Sequence, residues 1–333
     1  MLRILYFTSE TNNKFGVSKV VNDIKKNKIK KIKIKLSNNI LDIFSFKPKI
    51  IHIHGCWRPK LFVIFLLAKI IFIKIVISPH GMIDPFSFSQ KKIKKNFAWF
   101  IYQKIIFRFS DLIIVNSKFE KQNLEKKLKF KKNIKIIKHG INMSEPTKNL
   151  KKKNKLTFVF YSRIHPSKNL IKLVKIWKNN DFFYDYNLDV FGEIADVKYF
   201  DYFKDEIKSS KNINYKGKIN INNLNYKLSK YDIFLHPSNS ENFGLVILEA
   251  MSCGLFAVVN KNLDWRVLDK KNLGYSLNFT YKNLKKLILK LNKSKKKIRS
   301  IKFKKILRNF LFQNYNWNLI ANDYRKYYTK LFY

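Results

Sequence analysis

The sequence has little cysteine, few arginines and few acids, and each shortage narrows what the chain can be. Its two cysteines, Cys56 and Cys253, stand far apart and without metal-ligand spacing. Neither a disulfide framework nor a cysteine-based metal site is implied, and a reducing cytosol is the natural compartment. Acids number 22 against 69 basic residues, a formal charge of +47. Such a balance invites a nucleic-acid reading. The excess is nearly all lysine, however, and it accompanies abundant Asn, Ile, Phe and Tyr, the joint bias of a genome rich in A and T. The charge is also spread evenly, without zinc-finger spacing, an RNP-like aromatic motif or a recognition-helix module. The surface must still be strongly cationic, and it will attract anionic partners such as phospholipid headgroups or lipid diphosphates. Long apolar runs are missing too. The nearest, Leu61 to Ile77, is broken by Lys69 and Lys74 and falls short of the roughly 20 residues a membrane span needs. It predicts a buried helix leading into a buried parallel strand. Met1-Leu2-Arg3-Ile4 runs directly into a strand-like segment, so no secretory signal is expected.

What is present is enough for two domains: 333 residues, 46% of them hydrophobic. Short apolar strands are predicted at Leu2–Thr8, Ile32–Leu36, Ile50–His54, Ile73–Ser78, Asp111–Asn116 and Ile134–Lys138. Helical spacing lies between them, from Gly16 (Val17, Val20, Val21, Ile24) and from Ser117, where Glu120 sits as a capping-box partner. Lys148 to Lys155 reads as a linker, after which the pattern restarts. Strands are predicted at Leu156–Ser162, Leu188–Phe191, Ile213–Tyr215, Ile233–His236 and Phe256–Asn260, with helices at Leu170–Trp177 and Asp196–Ser209. Alternation of this kind means parallel sheets covered by helices. The fold class is α/β, two doubly wound Rossmann-like domains with a central cleft. The predicted boundaries are 1–147, joined by 317–333 crossing back, and 155–316. Ligands in such sheets sit beyond the carboxyl ends of the strands, so the residues just after each strand carry the interest.

The most specific segment runs from His236 to Gly254, HPSNSENFGLVILEAMSCG. A strand ends at His236, a polar turn follows, and a helix begins near Phe243-Gly244 and closes at Gly254. The helix start offers free backbone N–H groups and a positive dipole end, which suit a diphosphate. Glu241 and Glu249 are not a hydrolase pair. Eight helical residues rise by about 12 Å, beyond the roughly 5–9.5 Å that glycoside hydrolysis uses.

This segment resembles the E-x7-E signature of the large retaining glycosyltransferase family of GT-B fold, family 4, and the resemblance extends over nearly the whole chain. It implies that Glu241 contacts hydroxyls of the donor sugar, that Glu249 binds the nucleotide ribose, and that Phe243, Gly244 and Leu245 meet the diphosphate. Tyr161-Ser162-Arg163-Ile164-His165-Pro166-Ser167-Lys168-Asn169 resembles the family's G-R-x-x-x-x-K-G pattern, in which Arg and Lys neutralise the diphosphate. Arginine offers phosphate a planar fork and lysine a point charge. Here Ser162 and Asn169 replace the family's glycines. Ser78-Pro79-His80-Gly81-Met82 resembles a segment of bacterial members that build surface polysaccharides, where the matching histidine approaches the donor sugar. Gly16 stands at the Gly-rich first loop, with Phe15 in place of a second glycine, and Gly192 matches another glycine at a strand end. Phe256 stands where the family has Pro. Ile51-His52-Ile53-His54-Gly55 resembles the strand ending in H-x-H-G, and His54 and Trp57 fit an acceptor-lining role and a structural one equally. No third ligand accompanies His52 and His54, so no metal site is expected. Tyr315-Asn316-Trp317 resembles the start of the closing helix.

The resemblance implies a retaining enzyme that moves a sugar from a UDP- or GDP-sugar to a saccharide or lipid-linked acceptor. The implied setting is surface-polysaccharide or lipopolysaccharide synthesis, with no metal and no other cofactor. His80, Glu241, Arg163 and Lys168 are the expected catalytic set. Gly16, Gly192, Phe243, Gly244, Leu245 and Glu249 join Arg163 and Lys168 in holding the donor. The chain is expected in the cytoplasm, with peripheral attachment to the anionic inner face of the membrane as an option. Phe86 to Phe109 mixes lysines with aromatics and fits both a bilayer-lying amphipathic helix and a core helix with a solvated lysine face. The oligomeric state stays open. Rival readings are a basic nucleic-acid-binding protein and a GT-B relative that binds without catalysis.

Overall fold

The computed structural model describes residues 1–9, 17–27, 29–130, 132–143 and 154–333. The chain divides into two compact units, Met1–Gly140 with Tyr315–Tyr333, and Ile141–Asn314.

The first unit is built on six parallel strands: β1 (Leu2–Thr8), β2 (Ile32–Ser37), β3 (Ile50–His54), β4 (Lys74–Ser78), β5 (Leu112–Val115) and β6 (Ile134–Ile136). Their order is β2-β1-β3-β4-β5-β6. Every residue of β3 and β5 is buried, as befits central strands covered on both faces, whereas the edge strand β2 alternates half-exposed lysines with apolar residues. The run from Leu61 resolves into a helix, Pro59–Ile70, leading into β4. Leu61, Ile64, Phe65 and Ala68 face a core that also holds Ile51, Ile53, Ile75 and Ile77. The final helix, Trp317–Phe332, belongs to this unit and is capped by Asn316, whose side chain accepts from Leu319 N–H at 3.1 Å. Trp317 lies over Gly140, where any Cβ would come within 2.3 Å of the indole.

The second unit repeats the plan with β7 (Phe158–Tyr161), β8 (Leu188–Phe191), β9 (Ile213–Tyr215), β10 (Ile233–His236), β11 (Phe256–Asn260) and β12 (Gly274–Leu277), ordered β12-β11-β10-β7-β8-β9. Counted from β7, this is the Rossmann order 3-2-1-4-5-6 read from one edge. The order reverses between β7 and β10, the position in such sheets outside whose carboxyl ends ligands bind.

Two expectations change here. Phe86 to Phe109 is not one helix. It breaks into Pro85–Ser89, Lys92–Ala98, a π-helical turn at Trp99–Gln103, and Lys104–Phe109, with Lys91 left-handed at the first break. The wider turn lets Trp99 and Gln103 both point inward, and Gln103 Oε1 accepts the Trp57 N–H at 2.9 Å. The second change is β12, an edge strand that was not anticipated.

Candidate active site

In the second unit the site is assembled at the reversal point. The strand β7 delivers Tyr161 and then Arg163 and Lys168, the latter at the end of a single 3₁₀ turn, Pro166–Lys168. His165 caps that turn by accepting from Ser167 N–H. The neighbouring strand β10 delivers His236 and the loop to Glu241. Polar contacts latch the two loops together. Ser238 Oγ donates to Ser167 O at 3.0 Å, Asn239 N–H to the same carbonyl at 3.2 Å, and Asn169 Nδ2 to Pro237 O at 3.3 Å.

This latching brings Lys168 and Glu241, 73 residues apart in sequence, into a nearly buried ion pair, Nζ to Oε1 2.5 Å. The side chains are 9% and 13% exposed. His236 Nε2 approaches the same Oε1 at 2.7 Å. Burial by itself raises the Glu241 carboxyl, but the Lys168 ammonium and His236 outweigh it and hold the group well below the usual carboxylate range. Glu241 is thus an anion throughout the physiological range. Arg163 is exposed and forms no ion pair with any described residue, leaving its guanidinium available to an incoming anion.

The helix Leu245–Ser252 starts from Gly244, whose φ of +78° only glycine adopts without strain. A side chain there would also press to within 2.8 Å of Ile247 Cδ1. Glu249 lies buried in this helix and meets the Tyr161 hydroxyl at the end of β7; burial and this carboxylate raise the phenol far above its usual range. Gly254 is left-handed, φ +86°, and closes the helix as anticipated. Gly192 is placed differently from a donor-facing glycine. It is enclosed, its N–H donates to Gly217 O and its carbonyl accepts from Tyr215, and a Cβ would fall 2.0 Å from Ser162 O. Its role in the structure is to let β8 close on the loop after β7. Gly16 lies outside the described residues.

His80 belongs to the first unit, where β3 and β4 run in register with His54 opposite Ser78. His54 Nδ1 and His80 Nε2 are 2.9 Å apart with their rings stacked, and His54 packs on His52 at 3.9 Å between centroids. His52 in turn bridges Ser78 Oγ (2.8 Å) and the Tyr328 hydroxyl of the final helix (2.6 Å), which also meets Tyr6 at 2.7 Å. Burial lowers the pKa of all three imidazoles, His80 to about 4, so the stack is neutral at pH 7. His80 and Trp57 are both left-handed, at φ 52° and 73°, and such backbone is held only by its surroundings. Buried Glu120 supplies part of that hold. Its carboxylate accepts the Gly81 N–H and the Asn116 N–H, while its own N–H bonds Ser117 Oγ. Trp57 has its polar atoms occupied: N–H by Gln103, indole N–H by Met82 O, carbonyl by Tyr102.

Sequence reasoning assigned no role to His236 and treated Glu120 only as a helix cap. A histidine closing a strand five residues before an acid was the available signal for the first.

Two parallel-sheet domains in this order, the second carrying its acids and cations at the strand reversal, define the GT-B class of fold. The model of Glycosyltransferase Family 4 matches residues 13–145, and that of Glycosyl transferases group 1 matches residues 143–305. The chain belongs to this family of glycosyltransferase enzymes. Among solved structures it is similar to sucrose-phosphate synthase from Thermosynechococcus elongatus, with TM-score 0.80, 16% identity, and 99% of each chain covered. It is also similar to Anabaena Alr3699/HepE in complex with UDP and glucose, with TM-score 0.75, 16% identity, and 99% of this chain and 100% of that one covered. A third is a glycosyltransferase from Rickettsia africae, with TM-score 0.71, 17% identity, and 99% and 98% covered. At these identities the likeness is one of fold. A curated relative, an uncharacterized 41.2 kDa protein in the cps region of Klebsiella pneumoniae, is 27% identical over 225 residues. That match spans 63% of this chain and 60% of the relative.

Proposed function

We propose that the chain transfers a sugar, with retention of configuration, from a nucleotide-diphosphate sugar to a saccharide or lipid-linked acceptor in surface-polysaccharide synthesis. The buried Lys168–Glu241–His236 cluster at the reversal of the second sheet carries this reading. In it Lys168, a cation suited to a diphosphate, lies beside Glu241, an ionised acid suited to sugar hydroxyls. Arg163 and the backbone at Phe243–Leu245 add positive potential where leaving-group charge develops, in the way preorganised donors stabilise such charge, and no metal is called for. Glu249 takes the ribose. HepE, of the same fold, was solved with UDP and with UDP-glucose, and the Klebsiella relative comes from a cps region, both in keeping with this role.

The test is thermal stabilisation of the pure protein by UDP, GDP, ADP and CMP, with chelator present. Saturation about a hundredfold above Kd stabilises by roughly 2.7 kcal/mol, a shift of about 5 °C or more. One nucleotide should give that shift and Arg163→Ala should abolish it. No shift with any nucleotide, or an undiminished one in Arg163→Ala, overturns the reading.

The acceptor side of the reading includes an anionic bilayer. Ile93, Phe97 and Phe100 are 86%, 69% and 73% exposed, beside exposed Lys91, Lys92 and Lys94 on a segment without a single acid. Flotation with vesicles containing phosphatidylglycerol should carry the wild type up and leave Phe97→Ser/Phe100→Ser behind. Equal flotation of the two proteins would remove this face from the proposal.

A further inference from the structure

Within the cluster that carries this reading, Lys168 and Glu241 have been given tasks and the buried imidazole beside them has not. His236 ends β10, is fully buried, and stacks on Phe234 with ring centroids 5.5 Å apart. Its Nδ1 is buried and makes no hydrogen bond with any described residue, while its Nε2 lies 2.7 Å from Glu241 Oε1. An ionised carboxylate can only accept, so the ring proton belongs on Nε2 and Nδ1 is bare. Glu241 Oε1 therefore takes two donors, His236 and Lys168, and Oε2 accepts from no described residue. The two oxygens of one carboxylate are thus divided between the protein interior and whatever binds outside it.

Lys168 cannot give its full charge to two anions at once. When a diphosphate arrives, the ammonium is drawn towards it, and Glu241 loses one of the two donors that hold it. The imidazole cannot follow, because it is enclosed and fixed at the end of a central strand. We infer that His236 is the positioning residue for Glu241: it anchors Oε1 while Lys168 turns to the donor's diphosphate, so that Oε2 stays directed at a hydroxyl of the transferred sugar. The assignment rests on the donor-site reading above and adds to it the group that keeps the acid in place during binding. It makes the site selective for nucleotide sugar over free nucleotide, since only the former carries the transferred sugar's hydroxyl for Oε2, the ribose hydroxyls being assigned to Glu249.

The experiment compares free nucleotide and nucleotide sugar by calorimetry on purified wild type and three variants, using whichever nucleotide stabilises the wild type. His236→Phe keeps the bulk and removes the N–H. His236→Gln carries an amide N–H close to the Nε2 position, whereas His236→Asn is too short to reach Glu241. All three should bind free nucleotide as the wild type does. His236→Phe and His236→Asn should lose about ten- to a hundredfold in nucleotide-sugar affinity and in kcat/KM, the worth of one hydrogen bond to a charged group. His236→Gln should return to within about threefold of wild type on the same scale. Should His236→Phe not fold, the contrast between the two amide variants decides the matter. Wild-type-like nucleotide-sugar binding by His236→Asn, or equal losses in His236→Gln and His236→Asn, would overturn the assignment while leaving the donor site standing. Failure of the wild type to bind any nucleotide would overturn both.

Discussion

Lys168→Met is expected to weaken the second unit even with no ligand present. Methionine keeps the bulk of the lysine stem but removes the ammonium 2.5 Å from Glu241. The carboxylate, 13% exposed, is left with His236 as its one donor among the described residues. Breaking a buried pair by removing one partner costs about 3–5 kcal/mol when the remaining charge is fully enclosed. Partial exposure and the surviving imidazole bring the figure here to roughly 2–4 kcal/mol. For a unit of this size each kcal/mol is worth about 2–4 °C, so melting should fall by roughly 4–16 °C. Scanning calorimetry at pH 7 reads this directly. Adding Glu241→Leu removes the stranded charge, and the double variant should regain at least about 1 kcal/mol relative to the sum of the single changes. The sign with pH follows from Glu241, whose folded carboxyl lies below its ordinary value of 4.5. The pair's contribution is present above that value and is lost as pH falls through the lowered folded one. Lys168→Met should therefore lose less stability than wild type on acidification. A melting point within about 1 °C of wild type, or strict additivity in the cycle, would refute this account.

Acid should act on the first unit through the histidine stack. His52, His54 and His80 are held below their ordinary value of 6.5, His80 at about 4, so the unfolded chain binds protons that the folded one refuses. Stability should fall from about pH 6.5 towards pH 4, by up to ~1.4 kcal/mol per pH unit for each ring. Circular-dichroism melts across that range should show the loss, and His54→Phe should flatten it. Gly192→Ala should cost about 2–4 kcal/mol, because its Cβ would meet Ser162 O at 2.0 Å. Gly217→Ala, in open space at φ +75°, should cost only about 1 kcal/mol. Urea unfolding of the two variants separates close packing from backbone strain.

Most of the sheet was legible because parallel central strands are written as short unbroken apolar runs. IIHIH and FAVVN stand out in a lysine-rich chain. The strand β12 was not, since GYSL at a sheet edge is short and half-exposed and lacks any run. The segment after Pro85 misled for another reason. Its spacing is helical throughout, and the left-handed Lys91 and the π-turn are set by what Trp99 and Gln103 reach in the core. Within the site, Glu241, Lys168 and Gly244 could be picked out from local pattern. Their convergence on His236 could not, because it depends on β7 and β10 being neighbours although their paired Phe158 and Ile233 lie 75 positions apart, and on contacts between the two loops such as Ser238 with Ser167. The pairing of His54 with His80 likewise follows from strand register, which no single strand encodes.

The place of Tyr328 has a consequence for how the chain is made. Its hydroxyl completes the hydrogen bonding of His52 and Tyr6, deep beneath strands formed by the earliest residues. A ribosome releases those strands long before Tyr328 emerges, and the whole of Ile141–Asn314 is synthesised in between. During that interval His52 and Tyr6 lack their shared partner, and the apolar face that the last helix covers stands open. The second unit, contiguous in sequence, has all its parts before the first does, so of the two units the one whose synthesis starts earlier finishes folding later.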